Sequence, residues 1–234
     1  MSESANLFLA SLSAPDFEVL RSHLKTVELA QGTVLFEAGD EIHQVYFPHA
    51  GVISLVVPLA SGEMIESAMV GRDSVVGASY ALGGRVSMSK AIVQIAGRGS
   101  VLDAEKLTSL AAASPALHTA LFRHDQVILA QAQQSAACNA THTVEARLSR
   151  WLLRCRDLQG SDDLMLTQEF LGQMLGVRRT SVSVVANTLQ QSGLIRYSRG
   201  HIRILNLEKL RETACECYQT VKAHSDRLLG RQSA

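Results

Sequence analysis

Arg178, Arg179, Thr180, Ser183 and Asn187 place two guanidinium forks, two hydroxyls and an amide at spacings that share one face of a helix. Such a face is equipped to make hydrogen bonds, whereas a helix that merely faces water carries alternating charges. An arginine fork can give two parallel hydrogen bonds to a phosphate or to a guanine edge, so the chemistry indicated is recognition of nucleic acid. The neighbouring residues supply the elements that must hold this face out. Thr167 can cap a first helix, Glu169 sits favourably in its first turn, and Phe170, Leu171, Met174 and Leu175 form an apolar stripe that Gly176 ends. A second helix is expected from about Arg178 to Gln191, burying Val182, Val185 and Leu189, with Gly193 at its left-handed end. Gly172 leaves room for the two helices to cross closely, and a β-hairpin follows, up to Leu205. This is the helix-turn-helix pattern, in which the second helix enters the DNA major groove; a plain helical hairpin is the alternative.

The whole chain is neutral, with 22 Lys+Arg and 22 Asp+Glu in 234 residues, which taken alone argues against a nucleic-acid partner. The balance conceals an asymmetry. Residues 1–140 hold 8 basic and 13 acidic side chains, residues 141–206 hold 9 arginines, no lysine and 5 acids, and residues 207–234 hold 5 basic and 4 acidic. A block whose only cation is arginine suits phosphate and guanine, and the acidic segment would be held off the duplex. A hydrophobic content of 47% in a chain of this length supports two domains, each with its own core. No apolar run reaches about 18 residues, and MSESANLFLASLSAPDF lacks the basic start and apolar core of a secretory signal. A cytoplasmic protein with no membrane partner is expected. Of the four cysteines, Cys215 and Cys217 could be half of a metal or redox site with Cys155 or His224 as further ligands. Their spacing matches no common zinc pattern and the pair is read as structural, so neither a metal nor a cofactor is expected.

Ten of the 16 glycines lie between Gly32 and Gly99, where they separate the apolar runs Val34 to Phe36, Val45 to Phe47, Val52 to Leu59, Met64 to Val70 and Ala91 to Ile95. This reads as an all-β unit, double-layered or rolled, with a hairpin at Ser61-Gly62. From Pro115 the composition turns to Ala, Leu and Gln and predicts one long helix. Leu117, Leu121, His124 and Ile128 follow steps of four and three, as in a helix pairing with its own copy. Gln131, Ser135 and Cys138 continue that seam with weaker residues, and packing against the chain's own β-unit is the alternative. A new helix starts at Thr143 and contains the only tryptophan.

In this order, a glycine-punctuated β-roll, a long helix and a helix-turn-helix with a hairpin resemble the Crp/Fnr family of bacterial transcription regulators. The matching stretches are EAGDEIHQVYFPHAG (Glu37 to Gly51), VGRDSVVGASYALGG (Val70 to Gly84), TVEARLSRWLL and the helix-turn-helix itself. The resemblance implies an α+β fold: a β-roll of the double-stranded β-helix, jelly-roll-like kind over 1–114, a long dimerisation helix over 115–140, a winged helix-turn-helix domain over 141–206 and a helical extension over 207–234. It implies a sequence-specific transcription regulator that binds double-stranded DNA as a homodimer, with RNA polymerase as a further partner. Its two recognition helices would lie roughly 34 Å apart, on an inverted-repeat operator. The family's groove-facing positions fall on Arg179, Thr180, Ser183 and Val184, with Arg179 the candidate for a bidentate guanine contact. Cyclic-AMP receptor proteins carry Glu at the position of Thr180 and Arg at that of Val184, so the operator should differ from theirs. Arg178 is placed to touch phosphate, and Arg199 with His201 reads as a phosphate clamp on the wing.

The effector side departs from the family pattern. Its cyclic-nucleotide pockets resemble an FGEL-type turn, whose Glu binds the ribose, followed by an Arg that neutralises the phosphate. Here the turn is Gly77-Ala78-Ser79, with alanine in place of Glu, and Ser89 and Lys90 lie near the arginine position. Ala132 and Gln133 stand where those receptors have a Thr-Ser pair on the adenine. Cyclic AMP is therefore not the expected effector, and the pocket takes another small molecule or another anion, or is filled by side chains. No cysteine precedes Cys138, against an iron–sulfur cluster of the family's kind, and none of the eight histidines is singled out as a haem ligand. A cupin-like metal-dependent enzyme would need two His one residue apart and a nearby Glu, whereas His43 and His49 lie six apart. A ligand-binding adaptor that holds protein in place of DNA is the remaining alternative, and the arginine block argues against it.

Overall fold

The structure, a computed structural model, describes residues 5–229; residues 1–4 and 230–234, the ends of the first and last expected segments, lie outside it. Two short helices open the chain, α1 (Leu7–Ala10) and α2 (Ala14–Arg21), capped by the side chains of Asn6 and Ser13. Five strands follow: β1 (Lys25–Leu29), β2 (Val34–Phe36), β3 (Gln44–Pro58), β4 (Met64–Val70) and β5 (Lys90–Asp103). They form one antiparallel sheet in the order β1-β5-β3-β4, with β2 also paired to β5. The β3–β4 hairpin turns at Gly62, φ 84°, as the Ser61-Gly62 pair predicts.

Two apolar runs expected as separate strands, Val45 to Phe47 and Val52 to Leu59, belong to the single long β3. Gly51 does not end the strand but bends it: its φ is 91°, and its ladder with β5 shifts register around this point. Gly97 lies opposite, where a Cβ would stand 2.1 Å from the Ala50 carbonyl oxygen. Two glycines facing each other let β3 and β5 cross closely and roll the sheet.

A 3-10 turn (Ala78–Leu82) and α3 (Ala104–Ala113) lead to the long helix α4 (Pro115–Thr141), whose N-terminus is capped by Ser114. Thr143 caps α5 (Val144–Gln159), and β6 (Asp163–Met165), α6 (Gln168–Leu175), α7 (Arg179–Gln191), β7 (Ile195–Ser198) and β8 (His201–Ile204) complete the winged helix-turn-helix, with strand order β6-β8-β7. Two helices end the chain, α8 (Leu207–Thr213) and α9 (Cys217–Leu229). No described helix is long and apolar enough to cross a membrane.

The two halves are not packed wholly apart, although the roll keeps apolar clusters of its own. One apolar cluster runs from Val52, Val56, Met69 and Ile92 under the sheet into Leu148, Trp151 and Leu152 of α5 and on to Leu171, Val182 and Leu189 of the helix-turn-helix. Trp151, 1% exposed, is the joint: its indole fills the space beneath the sheet, and its Nε1 donates to Glu66 of β4 at 2.9 Å. A large ring with a polar edge serves both halves, provided that edge finds an acceptor.

Candidate nucleic-acid interface

The helix-turn-helix forms as its local signals require. The Thr167 hydroxyl accepts from the Phe170 N–H at 3.2 Å, and Gly176 stops α6 with φ 61°. Gly172 fits against the turn: a Cβ there would stand 2.9 Å from the Val177 carbonyl oxygen. Helix α7 buries Val182, Ala186 and Leu189, while Val185, expected in that row, is half-buried.

The opposite face of α7 exposes Arg179, Thr180, Val184 and Asn187, with Arg178 just ahead of the first turn. Val184 is 68% exposed, far more than an apolar side chain with a packing role. Ser183 is partly committed, its hydroxyl donating to Gln168 Oε1 at 2.7 Å. Helices α5, α6 and α8 have side-chain caps in Thr143, Thr167 and Asn206, but Arg178 makes no such bond to α7. The unsatisfied N–H groups of α7 therefore open beside two guanidinium groups, a combination that attracts anions.

The arginine block divides in two, which its sequence could not reveal. Arg178, Arg179, Arg196, Arg199 and Arg203 are exposed, whereas Arg147, Arg150, Arg154 and Arg156 lie along α5 and are buried or half-buried. Arg147 donates to the Leu175 carbonyl, Arg154 pairs with Asp73 at 2.9 Å and Arg156 with Asp162 at 2.6 Å. On the wing, Arg199 occupies the β7–β8 turn with φ 47°, a left-handed conformation uncommon outside glycine. His201 is not free for a phosphate clamp: its Nε2 lies 3.0 Å from Asp163. Sequence reasoning missed Arg196 and Arg203, which stand directly opposite across the hairpin. Like charges so placed repel; Asp163 of β6, 3.9 Å from the Arg203 guanidinium, answers one of them, and a phosphate would meet Arg196. The visible signal was an arginine on each strand of the hairpin.

The effector residues come together only in part. A cleft of about 310 Å³ in the roll is lined by Gly77, Ala78, Ser79 and Ser89, together with Met88 and Ile128. Lys90 does not line it; its ammonium is held 3.0 Å from Glu37. Ala132 and Gln133 lie beyond its lining as well. The acidic group at its edge is Asp125, whose pKa burial raises, and among the described residues neither Lys nor Arg lines the cleft. A cyclic phosphate would find no counter-charge there. His49, weighed as an enzyme ligand, instead meets Ser100 Oγ at 3.0 Å.

The expected dimer seam is turned inward. Leu117 and Leu121 pack in the core of the roll, and His124 lies against Phe8 while its Nε2 accepts from the Val75 N–H at 3.0 Å. Ile128 is half-buried on the roll. The weaker residues read as the seam's continuation, Gln131, Ser135 and Cys138, are buried on the same side. One residue further on runs a second row with the same steps of four and three: His118, Phe122, Asp125, Leu129, Ala132, Ala136 and Asn139. Phe122 is 52% exposed and Leu129 49%.

Two further groupings were not legible. Between the roll and α5, a cleft of about 330 Å³ gathers Glu66, Gln131, Arg150 and Arg154. Burial raises Glu66 to about 7, against the opposing pull of Ser54, Arg150, Trp151 and Arg154. At the foot of α4, Cys138, His142, Cys215 and Cys217 converge. The hydrogen bond from Cys215 lowers Cys138 to about 5, with Arg150 and His142 also favouring the thiolate. Cys155, weighed as a partner of Cys215 and Cys217, is instead buried beside Met69 in the shared core.

Residues 146–213 match the Crp-like helix-turn-helix domain family. No curated protein sequence matches the chain. Among solved structures, FixK2 from Bradyrhizobium japonicum is 17% identical with a TM-score of 0.71, the match covering 82% of this chain and 98% of that one. The c-di-GMP-responsive global regulator CLP of Xanthomonas campestris is 17% identical, TM-score 0.66, over 83% of this chain and all of that one. A CRP-family transcriptional regulator from Thermus thermophilus is 24% identical, TM-score 0.66, over 80% and 96% of the two chains.

Proposed function

We propose that this chain, whose residues 146–213 match the Crp-like helix-turn-helix domain within a fold shared with Crp/Fnr regulators, is a DNA-binding transcription regulator of that type and reads an inverted-repeat operator as a cytoplasmic homodimer. The observation that carries this reading is the free face of α7. Arg179, Thr180, Ser183, Val184 and Asn187 are presented on a helix whose other side is locked into the shared core. In this arrangement Arg179 donates both arms of its fork to guanine, Thr180 and Asn187 meet neighbouring base edges, and Val184 packs on a thymine methyl. Arg178, the open N-terminus of α7 and the wing residues Arg196, Arg199 and Arg203 hold phosphates and set the register.

The homodimer joins two α4 helices along Phe122, Leu129, Ala132 and Ala136, the row left exposed when Leu117 and Leu121 are taken by the roll. RNA polymerase is the partner that a regulator at such an operator would meet. Cyclic AMP is not the effector, since the roll cleft offers no cation to its phosphate and alanine stands where the ribose acceptor would be. The cleft suits a small, largely apolar molecule.

Selection of bound fragments from random DNA should recover an inverted repeat with half-site centres about one helical turn apart. Arg179→Ala should erase the preference for that operator over random DNA, whereas Arg203→Ala should weaken both and flatten the salt dependence by roughly one unit of log–log slope. Unchanged preference in Arg179→Ala would overturn the assignment of the reading face.

A further inference from the structure

We propose that Cys138, His142, Cys215 and Cys217 form a binding site for a single thiophilic divalent cation, zinc by its chemistry, which ties the foot of α4 to the start of α9. The four ligand atoms all lie within 4.8 Å of one another. Cys138 Sγ is 3.5 Å from Cys215 Sγ, and Cys217 Sγ is 3.6 Å from His142 Nδ1. A tetrahedral zinc with bonds of about 2.3 Å to sulfur and 2.0–2.1 Å to nitrogen sets its ligands roughly 3.8 Å apart for two sulfurs and roughly 3.6 Å for sulfur and nitrogen. The side chains therefore need only small rotations to close around a metal. The same compactness favours one ion over a multi-iron cluster, whose ligands must stand further apart.

The surroundings fit a metal site. All three cysteines are buried, and three thiolates with a neutral imidazole are a common donor set of structural zinc. His142 turns Nδ1 to the thiols and Nε2 to Glu216, whose Oε1 is 3.1 Å away, so the ring would donate to a carboxylate while ligating through its other nitrogen. The Gln134 amide donates to Cys217 Sγ at 3.0 Å, which suits a thiolate. Three thiolates and one divalent ion leave one negative charge, and Arg147 and Arg150 both lie within electrostatic reach of Cys138. The fourth cysteine, Cys155, lies outside the cluster.

The location gives the ion a task. Cys138 is in the last turn of α4, His142 is the residue that caps it, and α5 begins two residues later. Cys215 lies in the link between α8 and α9, and Cys217 is the first residue of α9. A metal at this point fixes the junction between the long helix and the DNA-binding half, using ligands that the sequence separates by 77 positions.

Elemental analysis of the full-length protein, purified without a metal-binding tag, should find one zinc per protomer. Cobalt added to the metal-free, reduced protein should give the visible d–d and thiolate-to-cobalt charge-transfer absorption of a tetrahedral sulfur-rich site. Cys217→Ser should lose the stoichiometric metal and Cys155→Ser should keep it. Glu216→Gln, at an exposed position, should retain one zinc with affinity lowered about 10- to 100-fold. Zinc should also raise the thermal midpoint of wild type in a concentration-dependent way. Failure of the reduced wild type to take up either metal, equal uptake by Cys217→Ser, or loss from Cys155→Ser as large as from Cys217→Ser would overturn the site. A Cys138–Cys215 disulfide that forms quantitatively under the same zinc-containing conditions, with no metal retained, would overturn it too.

Discussion

Replacing Glu66 by glutamine should change how the stability of this protein depends on pH. Glu66 is 8% exposed and lies where β4 meets α5. One carboxylate oxygen accepts from Ser54 of β3 and the other from Trp151 Nε1, while Arg150, Arg154 and Cys155 of α5 face it more remotely. Removal from water disfavours the charged form more than these neighbours favour it, and the group titrates at about 7 in the folded chain against 4.5 for a free glutamate. The folded state therefore holds the proton more tightly than the unfolded state. The resulting stabilisation is complete below pH 4.5 and is lost as pH rises through about 7. Moving from 4.5 to about 7 corresponds to about 3 kcal/mol, since each tenfold change in proton affinity contributes ~1.4 kcal/mol. Glutamine is neutral at every pH and keeps an oxygen for the indole N–H. Urea unfolding of wild type and Glu66→Gln at pH 5 and pH 8 isolates the effect, because the histidines and other carboxylates cancel in the comparison. The variant should gain about 2–3 kcal/mol relative to wild type between the two conditions, or roughly 4–12 °C in thermal midpoint for a chain of this size. A difference between the two proteins that stays constant within about 1 kcal/mol from pH 5 to pH 8 would refute the reasoning.

On α4, Leu129→Glu should shift the protein from dimer to monomer in light scattering at tens of micromolar, because it charges the exposed row; a variant that stays dimeric removes Leu129 from the interface. Leu121→Ala should leave the oligomeric state alone and cost about 2–5 kcal/mol of unfolding free energy, since the side chain is fully buried in the roll. Calorimetry with cyclic AMP should give a dissociation constant in the millimolar range, because losing a ribose acceptor and a bidentate phosphate partner costs on the order of 1–3 kcal/mol each; micromolar binding that also raises operator affinity would show that the roll cleft works by other residues. Gly97→Ala should destabilise by at least about 2 kcal/mol in a thermal melt, because its Cβ would stand 2.1 Å from the Ala50 carbonyl oxygen; an unchanged midpoint would mean that β3 and β5 can part without cost.

Local rules settled much of this protein from its residues in order. Thr167, Gly176 and Gly193 mark the ends of α6 and α7 because capping and left-handed turns depend on a few adjacent residues. The helical period likewise separates Val182 and Leu189 from Arg179, Ser183 and Asn187, so the candidate reading face was legible. What local rules leave open is the occupant of each face. On α4 two rows run one residue apart with the same steps of four and three, and only the packing of the roll shows that Leu117 and Leu121 are taken while Phe122 and Leu129 are left exposed. The arginine block looked uniform because charge along a sequence says nothing about depth; α5 lies between the roll and the helix-turn-helix, where Arg147 and Arg154 are taken by Leu175 and Asp73 and Arg150 lines a cleft. Cys215 and Cys217 matched no metal spacing because their companions, Cys138 and His142, arrive from the foot of another helix. Ligand spacing within a single segment reveals a site only when that segment supplies the ligands, and here the tertiary fold assembles them from two.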